Sequence, residues 1–256
     1  ALIMAAGAFM NFLLGFVVMV VLIAAQSEPI TSRVIYAVED GALCGQTGLE
    51  AGDKVLAVNG RRCFVANDML YELMRTEDYS ASFTVLRDGK KVELPRVQFD
   101  TWQDEDGETH MSLGFTVYGI RKTPVNVIKE AWNSVLYYGR IIFTSLMDLL
   151  RGRESINDLS GPVGIVTAIG QAASYGWQDL LELLALITVN VGIFNLLPFP
   201  ALDGGKVVFL LIEGVTGHAV PEKIQSGLTL AAFALLFALM IFATYNDIVR
   251  LVTGAI

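Results

Sequence analysis

The residues best placed for chemistry lie at the end of an apolar segment in the second half of the chain. Residues 195–205 read NLLPFPALDGG, in which two prolines interrupt a helical pattern and Asp203 follows them. Broken helices at membrane depth are tolerated where their backbone lines a protein-buried or water-filled cavity. An ionisable side chain in such a place marks a functional site. The residues alone leave a second interpretation open, in which Asp203 only caps a helix predicted over residues 206–213.

The chain offers only two histidines that could bind a metal ion or act as a base, His110 and His218. His110 adjoins an acidic loop, residues 103–109, and His218 lies in the connection before the last apolar segment. Both are predicted to be solvated loop residues. Neither has the histidine partner four residues away that a helical two-histidine metal site needs. The 256 residues contain no His-Glu-x-x-His sequence.

The composition predicts the kind of protein in which these residues sit. Hydrophobic residues make up 54% of the chain and charged residues 17%, whereas globular domains are about one quarter charged. Residues 27–127 hold 16 of the 26 acidic and 11 of the 18 basic side chains. We therefore expect an α-helical polytopic membrane protein with an inserted, mainly β domain. The net charge of −8 argues against a nucleic-acid partner, which requires clustered Lys and Arg.

Three uncharged segments are long enough to cross a bilayer as helices, residues 1–25, 183–202 and 224–246. The first lacks the basic start of a signal peptide and is longer than the apolar part of one. A fourth segment, residues 124–150, is interrupted by charged side chains that include Arg140. Because an arginine at the centre of a span costs about 2.5–3.5 kcal/mol, we favour a helix lying in the membrane interface.

The polar insert predicts a small sheet. Strand patterns cover residues 34–38, 54–58, 83–86, 91–94 and 113–118, and a short helical pattern covers residues 69–74. Asp88-Gly89 predicts a two-residue hairpin. Residues 48–60, GLEAGDKVLAVNG, resemble the signature of PDZ domains.

The PDZ resemblance implies a groove where an extended peptide adds a strand to a sheet edge. Leu113, Gly114 and Phe115 resemble the loop that receives the terminal carboxylate of the peptide. A buried strand without a ligand is an equal alternative for these residues. The insert also holds Cys44 and Cys63, which would form a disulfide outside the cytoplasm or remain buried thiols.

Three segments together resemble the site-2 protease family of intramembrane zinc metalloproteases. Residues 195–204 resemble its Asn-x-x-Pro-x-Pro-x-Leu-Asp-Gly motif. Residues 5–11, AAGAFMN, resemble its Ala-Gly-Pro-x-x-Asn element, with Ala8 in place of the proline. Residues 159–165, LSGPVGI, resemble the segment before its third core helix. One PDZ domain between the second and third helices is similar to the order in the bacterial RseP type.

The family resemblance implies a zinc site in which Asp203 is the third protein ligand, beside two histidines of a His-Glu-x-x-His helix whose glutamate is the base. It also implies that Asn195, and less directly Asn190, face the site or the substrate, with Pro198 and Pro200 as substrate-binding positions. An interhelical hydrogen bond is an equal alternative for Asn190. For Asn11, helix packing is favoured over binding of the substrate backbone.

The chain opens at Ala1 within an apolar run, so we expect the family's first helix to be missing from this sequence and the fragment alone to be inactive. The resemblance implies single-span membrane substrates, such as anti-sigma factors or signal-peptide remnants, cleaved within the bilayer. It places the protein in the bacterial cytoplasmic membrane. The alternative is a non-catalytic membrane adaptor that binds peptides through its PDZ-like domain.

The predicted organisation has five consecutive parts. They are a transmembrane helix (1–26, the second core helix of the family), an extracytoplasmic PDZ-like domain (27–120), an amphipathic region (121–178), a transmembrane segment with the proline motif (179–215), and a last transmembrane helix with a tail (216–256).

Overall fold

The structure is a computed structural model that describes residues 2–104, 107–153, 155 and 159–253. Its contacts divide the chain into two compact units. Ala1–Leu22 and Tyr138–Ile256 form one, here called the helical unit, and Ile23–Tyr137 form the other, here called the sheet unit.

Secondary structure follows the predicted alternation of apolar helices and short strands. In the described part of the chain the helices are α1 (Leu2–Ala25), α2 (Leu43–Gln46), α3 (Ala66–Leu73), α4 (Pro124–Leu150), α5 (Pro162–Tyr175), α6 (Trp177–Leu196), α7 (Asp203–Thr216) and α8 (Glu222–Thr253). The strands are β1 (Ile30–Val38), β2 (Lys54–Val58), β3 (Arg61–Arg62), β4 (Ser80–Arg87), β5 (Lys90–Gln98), β6 (Asp100–Gln103), β7 (Thr109–Ser112) and β8 (Phe115–Ile120).

Three of these helices are long and apolar enough to cross a membrane. The candidate spans are Ala6–Ala25 in α1, Trp177–Leu196 in α6 and Glu222–Thr253 in α8. They correspond to the three predicted segments, although α6 begins and ends six residues earlier than expected. It ends at Leu196 because Pro198 and Pro200 cannot continue a helix. The predicted helix over residues 124–150 is confirmed as α4.

The sheet unit contains an antiparallel sheet in the order β5-β4-β2-β1-β8, with β3 paired to β2. All five predicted strands and the short helix are present. β8 lies at one edge of this sheet, so one side of its backbone has no partner among the described strands. Between β4 and β5, Asp88 and Gly89 both have positive φ, of 50° and 77°, which confirms the predicted two-residue hairpin.

A second hairpin, β6-β7, and the short helix α2 were not predicted. Both strands of this hairpin are four residues long and mostly polar, so their sequence carries no strand periodicity. Of the two alternatives for the cysteines, the structure has the buried thiols, because Cys44 and Cys63 are free and buried. The Cys44 thiol points to the carbonyl of Gly114 at 3.6 Å, and burial raises its pKa.

Asp53, within the signature of residues 48–60, has a structural role in the sheet unit. Its side chain is fully buried, accepts a hydrogen bond from the backbone N–H of Glu50 at 3.0 Å, and receives two hydrogen bonds of 2.7 Å from the Arg87 guanidinium. A buried carboxylate must be paired and hydrogen-bonded to be tolerated. This bidentate pair therefore joins the turn before β2 to the end of β4.

In the helical unit a buried acidic side chain caps a neighbouring helix. Asp247 of α8 is 1% exposed and accepts hydrogen bonds from the backbone N–H groups of Gly161 and Gly164, at 3.2 and 2.7 Å. Built Cβ atoms on the two glycines would lie only 2.8 and 2.9 Å from the Asp247 carboxylate. The Ser-Gly-Pro-x-Gly sequence before and within α5 thus permits a close contact with α8.

Replacing Asp247 with Ala is expected to lower the free energy of unfolding by about 2 kcal/mol or more, because two buried N–H donors lose their acceptor. Asp247→Asn keeps an acceptor oxygen and should lose less. Thermal unfolding of the chain in detergent micelles measures the effect, with the exposed Asp179→Ala as control. An Asp247→Ala variant as stable as this control would contradict the capping role.

Candidate functional site

The site begins where α6 breaks. The helix ends at Leu196, and the backbone of Leu197 turns to extended angles (φ −62°, ψ 143°) before the two prolines. Hydrogen bonds from Phe199 N–H to the Leu197 carbonyl (2.7 Å) and from Leu202 N–H to the Phe199 carbonyl (2.9 Å) close the turn. These local bonds satisfy backbone groups that the broken helix would otherwise leave unpaired.

Asp203 is the first residue of α7, which starts three residues earlier than the predicted helix. Its carboxylate therefore lies at the N-terminal end of α7, where the first N–H groups of a helix have no partner within the helix. The nearest cation is Lys206, one turn along α7, whose Nζ is 3.3 Å from Asp203 Oδ1. The Asp203 side chain is 38% exposed, so part of the carboxylate remains open to a ligand.

Two buried glycines hold the start of α7 against the break. A Cβ atom on Gly204 would overlap the Leu197 carbonyl oxygen and lie 2.7 Å from the Leu196 carbonyl carbon. A Cβ atom on Gly205 would overlap the carbonyl oxygen of Phe199. Backbone atoms cannot move aside as a flexible side chain can, so both positions require glycine. Asp203 is thereby positioned by backbone packing.

Small residues also bring α1 next to this site. A Cβ atom on Gly7 would lie 3.4 Å from Asp203 Oδ2, so the α1 backbone faces the carboxylate with no side chain between them. Further along, Gly15 contacts Val189 of α6, and Gly192 contacts Phe12. The order of these contacts runs in opposite directions along the two helices, so α1 and α6 pack antiparallel. Close packing through small residues is typical of membrane helices.

The predicted polar residues are distributed unequally around α6. Asn195 follows Gly192 by three residues and so lies about one turn beyond the α1 contact, on the same side. Asn190 precedes Gly192 by two residues, which rotates it by about 200° to the other side. Both are half-buried, and among the described residues neither side chain has a hydrogen-bond partner.

Four further predicted or possible contributors lie around the break. Pro198 is exposed and Pro200 is half-buried, and the Pro200 carbonyl accepts a hydrogen bond of 3.3 Å from Thr229 of α8. Asn11 is one helical turn from Gly7, on the same side of α1. Lys206 was not predicted as part of the site, although its spacing of three residues from Asp203 is that of a helical ion pair.

The two histidines lie in different parts of the fold. His218 follows the far end of α7, about 20 Å along the helix from Asp203. His110 belongs to β7 of the sheet unit, where its Nε2 is 2.7 Å from Asp104 and its ring stacks on Trp102. The prediction that His110 is merely solvated is therefore wrong. Within the described residues, the group of three His, Cys, Asp or Glu side chains close enough to share a metal ion is Asp104, Glu108 and His110, and Asp203 is not part of it.

The sheet unit contains the second set of predicted site residues. Gly114 has a positive φ of 62°, and a Cβ atom there would lie 2.8 Å from the Ala42 side chain. Leu113 and Phe115 flank it and pack partly against the hydrophobic core. The Gly114 carbonyl accepts a hydrogen bond from Glu39 N–H at 2.9 Å. This tight loop leads directly into the edge strand β8.

Replacing Gly204 with Ala is expected to displace α7 from the break, because the added methyl group meets backbone atoms of Leu196 and Leu197. Gly214→Ala, in the same helix, meets nothing within 4 Å and should be neutral or stabilising. Limited proteolysis and thermal unfolding in micelles measure both variants. Equal behaviour of the two variants would show that the close approach at Gly204 is unimportant.

Comparison with known proteins gives consistent matches over almost the whole chain. The sequence model of peptidase family M50 matches residues 1–239. The chain is 35% identical over 245 residues to a zinc metalloprotease RasP from Geobacillus kaustophilus, covering 95% of this chain and 57% of the relative. It is 31% identical over 247 residues to the regulator of sigma-W protease RasP from Bacillus subtilis, covering 96% and 58%.

A third relative is a putative zinc metalloprotease, LL2128, from Lactococcus lactis, which is 32% identical over 245 residues, covering 95% of this chain and 55% of the relative. The chain therefore spans a little over half the length of these relatives. The family match over residues 1–239, with Asp203 and its proline motif inside it, shows that the chain belongs to peptidase family M50, the site-2 protease family.

Proposed function

We propose that the whole protein to which these residues belong is an intramembrane zinc metalloprotease, which hydrolyses peptide bonds within transmembrane segments of membrane proteins. The observation that carries this proposal is the Asp203 carboxylate, held by backbone packing at a proline break directly after a candidate membrane span. The names of the relatives, zinc metalloproteases, support it.

Asp203 fits the role of one zinc ligand. Its carboxylate is partly open, and the residue opposite it is Gly7, so no side chain of α1 at this position covers Oδ2. His218 does not fit, because it follows the far end of α7, and the Nε2 of His110 is already paired with Asp104 within the sheet unit. We therefore assign the remaining ligands to other parts of the whole protein. Zinc with three protein ligands and a bound water lowers the pKa of that water toward about 7 and polarises the scissile carbonyl.

The surrounding residues are proposed to bind the substrate backbone. A transmembrane helix must unwind before it can be cut, and its freed N–H and C=O groups then need partners in an apolar environment. Asn195, on the α1 side of α6, is the best placed side-chain amide for this role, and Asn190 is less well placed. The irregular backbone around Pro198 and Pro200 offers an edge beside which an extended substrate segment can lie.

We place the protein in the bacterial cytoplasmic membrane, with the sheet unit outside the cytoplasm. The three candidate spans support a membrane location. Single-span proteins are the proposed substrates, such as anti-sigma factors or signal-peptide remnants, and the lipid bilayer is the immediate environment. The name of one relative, regulator of sigma-W protease, supports anti-sigma factors as substrates.

Asp203→Asn in the whole protein is expected to lower cleavage of a reconstituted single-span substrate by about 100-fold or more, together with its bound zinc. The exposed Asp179→Asn is the matched control. Cleavage is followed on gels and zinc by elemental analysis. Unchanged cleavage would overturn the role of Asp203, and unchanged function without any cleavage would favour the non-catalytic adaptor.

The free edge of β8 favours a second activity, in which the sheet unit is a PDZ-like peptide-binding domain. An extended peptide would pair with the unpartnered side of β8, and the Leu113-Gly114-Phe115 loop at its start would receive the terminal carboxylate. Edge strands with free backbone groups are templates for such pairing. This activity would serve a protease and an adaptor equally.

A library of peptides with free carboxyl termini should bind the chain, whereas the same library with amidated termini should not, because the loop is proposed to receive a charged terminus. Hydrogen exchange locates the binding, and the amides of β8 should become protected. Equal binding of the amidated library, or protection elsewhere with β8 unchanged, would overturn the proposed groove.

A further inference from the structure

Helix α4 presents a continuous apolar stripe to solvent within the sheet unit. Val125, Ile128 and Trp132 are 73%, 54% and 58% exposed, and Leu136 continues the row. Spacings of three and four residues place these four side chains on one side of the helix. Val127, Ala131 and Val135, about a quarter turn from this stripe, are buried. An exposed stripe of this kind is typical of a helix embedded about 5–10 Å into a membrane interface.

A polar pocket of about 150 Å³ lies beside this apolar stripe, and we call it the junction pocket. Its α4 residues form a second row, about a quarter turn from the apolar one. Strands β1 and β2 supply the facing wall. The polar side chains that line the pocket are Arg33, Lys54, Asn126, Lys129, Glu130 and Asn133.

The junction pocket combines three cations with one carboxylate. The Arg33 guanidinium is held in place by the backbone carbonyls of Val55 and Cys63, so its charge is fixed at the pocket wall. Burial raises the pKa of Glu130 to about 6. The positive charges of Arg33 and Lys129 and a hydrogen bond from Asn133 act in the opposite direction and lower it. These neighbours do not fully offset the cost of desolvating the Glu130 carboxylate, so an additional cation near it would be favourable.

The chain itself keeps the junction pocket close to the membrane. Ile30, the first residue of β1, lines the pocket and follows the end of the candidate span Ala6–Ala25 by five residues. Five extended residues reach at most about 18 Å. The pocket is therefore within reach of the lipid head groups, on the same side of the membrane as the end of α1.

We propose that the junction pocket binds the head group of a zwitterionic aminophospholipid, with the phosphate on Lys129 and Lys54 and the primary ammonium on Glu130. The apolar stripe of α4 would lie against the acyl chains of the same lipid. A choline head group has no N–H to donate to Glu130, and a glycerol head group has no cation. The charge pattern thus selects phosphatidylethanolamine among common head groups.

The test uses the complete chain in detergent, incubated with an equimolar mixture of phosphatidylethanolamine, phosphatidylcholine and phosphatidylglycerol. Native mass spectrometry then quantifies the lipid that remains bound. Phosphatidylethanolamine should be retained on the order of tenfold over phosphatidylcholine, as expected for one charge-assisted hydrogen bond. Glu130→Gln should remove this preference, whereas the exposed Lys90→Gln and Glu77→Gln should keep it.

The two variants separate the two halves of the proposal. Glu130→Gln should shift the preference toward phosphatidylglycerol, because only the phosphate contacts remain, and Lys129→Gln should weaken retention of all phospholipids. Lys54→Gln serves in place of Lys129→Gln if the latter lowers the melting temperature. Equal retention of all three lipids by the unaltered chain, or an unchanged preference in both variants, would overturn the proposal.

Discussion

The close approach of α7 to the broken end of α6 is the constraint on which the Asp203 site depends. Two prolines end α6, and the next helix must start within a few residues while its backbone groups remain paired. Gly204 and Gly205 make this possible, because a side chain at either position would collide with backbone atoms. As a result, the Asp203 carboxylate lies at the start of α7. Its position is set by the packing of the α7 backbone on the broken end of α6, and Gly7 of α1 lies next to it.

The three acidic residues Asp53, Asp203 and Asp247 show how burial separates structural carboxylates from a functional one. Asp53 is fully buried and uses its oxygens on Arg87 and a backbone N–H. Asp247 is equally buried and uses both oxygens on the start of α5. Asp203 is more than one third exposed and contacts one cation through one oxygen. Only Asp203 therefore retains capacity to bind a ligand, which is what the proposed zinc site requires.

Much of the fold was predictable because its signals are local. Uncharged runs predicted α1 and α8, Pro198 and Pro200 predicted the break, and Asp88-Gly89 predicted the hairpin turn. The β6-β7 hairpin was not predictable, because its short polar strands are held by pairing with each other and have no apolar face. The partner of the glycines at 161 and 164 was also not predictable, since Asp247 is more than eighty residues away in the chain.

By itself the sequence determined the kinds of residues at the site, since the motif of residues 195–205 prescribes a break, a carboxylate and two glycines in that order. Only the tertiary structure decided which other residues meet them. Contact of Gly7 with Asp203, and the position of Asn195 rather than Asn190 on the α1 side, follow from the antiparallel packing of α1 on α6. That packing depends on small residues on both helices, whose pairing is a property of two surfaces and cannot be read from either one alone.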